Sequence, residues 1–175
     1  MSACPGFLRL TMLVWAREFS CANMEYNSEK DTTRHIDRVR YLIGRCAVIL
    51  LERGVRHDAS KLSEAEKSSF DAVGDRLSQL IYNSEEYKRS LAELKPALDH
   101  HYSCNSHHPE HYPNGVNGMS LLDLLEMLMD WKASSERNSK GLGIAESIEI
   151  SCERFKIGDQ LKEILLNTAR EIEWI

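Results

Sequence analysis

Two features that would place a protein at once are missing from this 175-residue chain: an excess of positive charge and a long apolar run. Net charge is −5. A nucleic-acid groove calls for a basic stripe, so that partner class is set aside. The most apolar N-terminal stretch, Phe7 to Ala16, is interrupted by Arg9 and falls short of the about 20 residues a bilayer crossing takes. It also lacks the basic lead and small-residue cleavage site of a secretion signal. Cysteine is sparse and unpatterned: five residues, at 4, 21, 46, 104 and 152, with no Cys-x-x-Cys. An odd number without regular spacing argues for free thiols in a reducing compartment, and the chain is expected to be cytoplasmic. No run alternates with a period of two, and there is no Walker loop or Gly-x-Gly-x-x-Gly turn.

What is present is a soluble-type composition, 42% hydrophobic and 28% charged, in a length that suits one domain. Residues 1–23 read as an extension outside the core, with Met24 as a candidate start, and 24–175 as the folded domain. Helical periodicity begins after Ser28, where Ile36, Val39, Ile43, Cys46 and Leu50 share a face flanked by His35, Leu42 and Ile49. This helix is expected to reach Arg53, with Gly54 as its cap. Ser63 and Glu66 form a capping-box pattern for a short helix to Val73, closed by Gly74. Further helices are expected over 75–82 and, capped by Ser84, over 85–102, where Pro96 marks a kink or a restart. Residues 104–118, with two prolines, two glycines and three asparagines, read as a loop. Ser120 caps the most apolar helix, 121–136. Gly141 and Gly143 mark a turn, and helices over 144–155 and 159–172 complete an all-α single-domain bundle.

The chemistry sits in the histidines. All seven lie between positions 35 and 111: His35, His57 beside Asp58, His100 and His101, then His107, His108 and His111 in the loop. Imidazoles with carboxylates are the ligand set of Zn, Fe, Mn, Co or Ni. His101 continues the stripe of Leu91, Leu94 and Leu98 and should point inward, whereas His100 should not. Asp123, Glu126 and Asp130, spaced i, i+3, i+7, line one side of the apolar helix. Such a stripe is as often a solvated face as a buried one. A buried acid stripe needs a counter-charge, which a divalent cation supplies.

The order His35, His57-Asp58, His101, His107-His108, Asp130 resembles the HD superfamily of metal-dependent phosphohydrolases. The segments HDASK, HHPEH and DLLEMLMDWKA are most similar to an uncharacterised bacterial and phage HD-like family, over about residues 24–168. The resemblance implies an HD-like helical bundle in which His35, His57, Asp58 and Asp130 hold one divalent metal. Asp58 then bridges to a second, held by His101 and by His107 or His108. It implies that Lys61 approaches a substrate phosphate, and that Lys61, His107, His108 and Glu126 serve the reaction, with Glu110 and Glu126 orienting imidazole N–H groups. Asp123 competes with Asp130 for the last ligand position. The expected activity is hydrolysis of a phosphorylated small molecule, a nucleotide or similar phosphomonoester or phosphodiester. A di-iron oxygenase built on the same ligands is the alternative enzyme. A non-catalytic, metal-stabilised binding module is the alternative outside catalysis. Neither a membrane nor a nucleic acid is an expected partner; a homo-oligomer is compatible with the pattern.

Overall fold

The computed structural model describes residues 26–81, 84–137 and 142–175. Within them the chain is helical and contains no strand, and it divides into two compact units, 1–40 and 41–175. The expected boundary at 23/24 and the turn glycine Gly141 lie outside the described residues.

Helix α1 runs unbroken over Ser28–Arg56, three residues past the expected stop. Gly54 stays helical. The chain instead leaves the helix through Asp58, whose backbone is left-handed (φ 55°, ψ 14°). Aspartate tolerates that region better than most residues because its short side chain bonds locally. A single 3₁₀ turn, Ala59–Leu62, follows.

Helix α2, Lys67–Ser78, also crosses its expected end: Gly74 sits mid-helix, with open space around it. An interior glycine costs helix stability but keeps its backbone hydrogen-bonding groups, so it does not by itself end the helix. The expected helix over 75–82 is therefore the end of α2, and Tyr82 lies outside the described residues. Ser84 caps α3, Glu85–Glu93, by accepting a hydrogen bond from the Tyr87 amide at 3.2 Å. The chain restarts at Leu94 as α4, Lys95–Cys104, with Pro96 in its first turn, where the missing amide hydrogen is not needed. Two 3₁₀ turns, Pro109–His111 and Gly115–Gly118, give the following loop its shape. Helices α5 (Leu121–Arg137), α6 (Ile144–Phe155) and α7 (Asp159–Glu171) complete the second unit.

The core of that unit joins these last three helices: Met127 and Leu128 of α5, Ile144, Ile148 and Cys152 of α6, and Leu165, Leu166 and Ala169 of α7. Met127 and Leu128 turn one side of α5 into the core. The adjoining side carries the acids. Val73 of α2, Leu94 between α3 and α4, and Ala97 of α4 are buried as well. Residues of α2–α4 and of α5–α6 line a cleft, and His101 and His108 line it too.

Candidate metal centre

The acid stripe of α5 faces inward. Asp123 is buried and Glu126 and Asp130 are half-buried. The turn at the end of α1 brings His57 and Asp58 against this face, α4 supplies His101, and the loop supplies His107 and His108.

Three of the imidazoles are tied at one ring nitrogen and open at the other. His57 Nδ1 lies 2.9 Å from Glu126 Oε1, and His107 Nδ1 lies 3.2 Å from the same oxygen. His101 Nδ1 lies 3.0 Å from Glu66 Oε2. A carboxylate can only accept, so Nδ1–H of His57 and of His101 donates, and Nε2 of each ring is turned the other way, as is the unpartnered Nε2 of His107. Those three Nε2 atoms converge. His57 Nε2 is 3.5 Å from Asp130 Oδ1 and 3.6 Å from Asp58 Oδ2. His101 Nε2 and His107 Nε2 are 3.2 and 3.5 Å from Asp58 Oδ1. His108 Nε2 is 2.9 Å from His101 Nε2. Two groups of potential ligands result, His57–Asp58–Asp130 and Asp58–His101–His107–His108, with Asp58 common to both. A third, His57–His107–Glu126, is the hydrogen-bonded tie just described.

Three observations test whether a cation fits. Ligands about 2.1 Å from one ion stand about 3 to 3.5 Å from each other; the separations above run from 2.9 to 3.6 Å, and the donor atoms of each group all lie within 4.8 Å of one another. Among the described residues the buried side-chain atoms with no hydrogen-bond partner are Asp58 Oδ1, His107 Nε2 and Ser63 Oγ, and the first two are in the cluster. Buried polar atoms are nearly always satisfied, so this pair marks a place shaped for a further group. A carboxylate behind each imidazole is the usual orienting arrangement for a metal-bound histidine. The donor set fits a divalent transition metal.

Electrostatics agree. Burial works against the charge on Asp58, yet the His101 ring 3.2 Å from Oδ1 and the adjacent Lys61 ammonium (Nζ to Oδ2 2.5 Å) hold its carboxyl far below the usual range. A hydrogen bond to Asp130 outweighs burial and raises His57 to about 9, so without a cation a proton stands between those carboxylates. Burial lowers His107, and burial with repulsion from its histidine neighbours lowers His108 to about 3, leaving its ring neutral and able to coordinate.

The remaining expected residues are placed as follows. Lys61 lines the cleft, its ammonium 5.5 Å from the Phe70 ring centroid. His108 lines the cleft too, whereas His107 is enclosed at 2% exposure. His100 is partly exposed and donates Nδ1–H to Glu66 Oε1 at 2.6 Å, on the side of Glu66 away from His101. His111 bonds the Tyr102 carbonyl. Glu110 orients no imidazole, because Arg154 occupies it at 2.8 Å. His35 is exposed, lies in the first unit and joins no ligand group among the described residues.

Asp123 is not a rival of Asp130 for a ligand position. Its carboxylate, 4% exposed, accepts from Arg53 (2.5 Å), Ser106 (2.7 Å), Tyr112 (3.0 Å) and the amide and hydroxyl of Ser120 (2.8 and 2.7 Å). Through Arg53, which also donates to Glu126 Oε2 at 2.6 Å, it fixes the glutamate that steers His57 and His107. Despite burial, bonds from Ser120, Ser106 and Arg53 hold Asp123 well below its ordinary 3.8. Such a group stabilises the fold above its unfolded pKa, and the contribution is lost as pH falls below it. Urea unfolding should therefore show stability dropping below about pH 4, and Asp123→Asn should cost about 2–4 kcal/mol at pH 7 and flatten that acid limb. An unchanged acid limb in the variant would assign the pH dependence elsewhere.

Sequence reasoning missed Glu66, Arg53, Ser60 and Asn105. Glu66 is fully buried between His100 and His101 and also accepts from Ser60. Asn105 donates to Ser60 Oγ and to the His101 carbonyl, at 2.8 and 2.7 Å. Glu66 looked like the partner of Ser63 in a capping box, which does not form because the side chain turns inward. A signal for Arg53 did exist: it continues the stripe of Ile43, Cys46 and Leu50, where a charge is out of place unless it meets one.

Residues 24–172 match a family described as a family of unknown function, DUF5662. The chain belongs to DUF5662. Nearly all the elements above lie inside the matched span, the whole histidine–carboxylate cluster included. No curated protein and no solved structure matches the chain. Among the described residues of this DUF5662 member, no helix is long and apolar enough to cross a membrane.

Proposed function

We propose that this DUF5662 member is a metal-dependent phosphohydrolase of HD type, acting on a phosphorylated small molecule of nucleotide size. The observation that carries the reading is the sharing of Asp58 between two ligand groups, with its Oδ1 buried and unpartnered. A metal with a structural role is usually closed by four ligands, often cysteines; here the donors exceed four and include no sulfur. Cations bound there would supply Lewis acidity toward a phosphoryl oxygen and a water.

The chain's own contribution follows from its geometry. Glu126 and Glu66 hold three imidazoles with Nε2 forward, so the donors need no rearrangement to act. Lys61 stands on the cleft side of Asp58, where its ammonium can pivot from that carboxylate to a phosphate oxygen. His108, neutral and cleft-facing, offers a lone pair on the same side.

The test is metal analysis of freshly purified protein together with turnover of phosphomonoester and phosphodiester panels under added Mn or Co. Bound metal and hydrolysis are expected. Lys61→Ala should keep its metal and lose about 100-fold in turnover. Iron with substrate-dependent oxygen consumption would make the protein an oxygenase, and retained metal with neither reaction would leave a binding module.

A further inference from the structure

A cavity of about 510 Å³ runs from the metal-ligand groups along α5. Within the 300–1,000 Å³ of small-ligand sites, it has room for more than a phosphate. His101, His108, Asp130 and Lys61 line one end of it. From there α5 contributes Ser134 and Arg137. Asp130, Ser134 and Arg137 are spaced i, i+4, i+7, so they share one stripe of the helix. By helical rise the backbone positions of Ser134 and Arg137 stand about 6 Å and about 10 Å from that of Asp130 along the axis. The facing wall, from α2 to α4, is largely apolar, with Phe70, Leu77, Leu91 and Leu98 beside Asp71, Ser78 and Tyr87. Of the acids that also line the cavity, Asp71 is paired with Lys67 and Glu110 with Arg154.

From this rail of anion site, hydroxyl and cation opposite an apolar wall, we propose a substrate class that rests on the phosphohydrolase reading. The cleft takes an elongated phosphoester whose second anionic group, a carboxylate or a phosphate, is bound by Arg137 about 10 Å from the phosphate at the metals. The middle of the molecule is apolar toward α2–α4 and meets Ser134 on its other edge. Arg137 then reads substrate length, because its planar fork pairs with an anion in two contacts. A phosphoester without that second anion loses this contact while keeping those at the metals and Lys61.

The experiment measures binding rather than turnover. Cobalt-loaded full-length protein is titrated calorimetrically with biphenyl-4-phosphonate and with its 4′-carboxylated analogue. The carboxylated probe should bind about fivefold more tightly, as expected for a guanidinium–carboxylate pair at a solvent-accessible cleft mouth. Arg137→Ala should bring the ratio within twofold, and Arg137→Lys should keep part of it. Equal binding of the two probes, or a ratio that survives Arg137→Ala, overturns the length-reading role and leaves the phosphohydrolase reading standing. Failure of metal-loaded protein to bind either phosphonate overturns both.

Discussion

Asp58→Asn is expected to empty both ligand groups and to lower phosphoester hydrolysis by about 1,000-fold or more, the equivalent of roughly 4 kcal/mol of barrier. Asn suits this test because it tolerates the left-handed backbone at φ 55° and matches Asp in size, so the turn after α1 is kept. Only the charge and one donor oxygen go. Because Oδ1 faces His101 and His107 while Oδ2 faces His57, neither group can compensate for the other. Metal content by elemental analysis should fall toward background while far-ultraviolet circular dichroism stays at the wild-type level. Full metal content in the folded variant would exclude Asp58 as the shared ligand and remove the main support of the proposed function.

The second large effect is expected at a residue that touches no ion. Glu66→Gln should weaken metal affinity by about 10–100-fold, the usual consequence of losing an orienting carboxylate. Glu66 is fully buried and accepts from His100, His101 and Ser60, and bonds from His100, Ser60 and His101 overcome burial to keep it ionised. The amide retains one acceptor oxygen, but its NH₂ group must then face a donor. Either His101 loses its Nδ1–H partner or its ring changes tautomer, and Nε2 no longer presents a lone pair to the cluster. Competition against a chromogenic chelator reads the affinity directly. An affinity within twofold of wild type would show that the His101 Nδ1–H is held by Ser60 Oγ instead.

Much of this was legible in the sequence wherever one residue's periodicity decided the matter. His101 follows the Leu91–Leu94–Leu98 stripe and is 1% exposed, while its neighbour His100 is not buried. The acids of α5 were legible as a stripe; their direction was not. The choice between solvent and interior depends on which other side of α5 the core claims, and that is set by α6 and α7. The helix ends at Gly54 and Gly74 were misread because glycine permits a stop without imposing one. Glu66 and Asp123 were misassigned for a common reason: Ser-x-x-Glu and a regularly spaced Asp have local meanings. Here contacts with residues 17 to 70 positions away override them.

His57 and the glutamate behind it are 69 positions apart in the chain, and the arginine behind that glutamate is 73 positions away from it. Closing loops of that length comes late in folding, after the local helices have formed. A nascent or half-folded chain therefore offers an ion only scattered, weak contacts. With a metal bound as proposed, ion capture would certify completed folding, and refolding followed by ion capture should lag behind refolding followed by helix content.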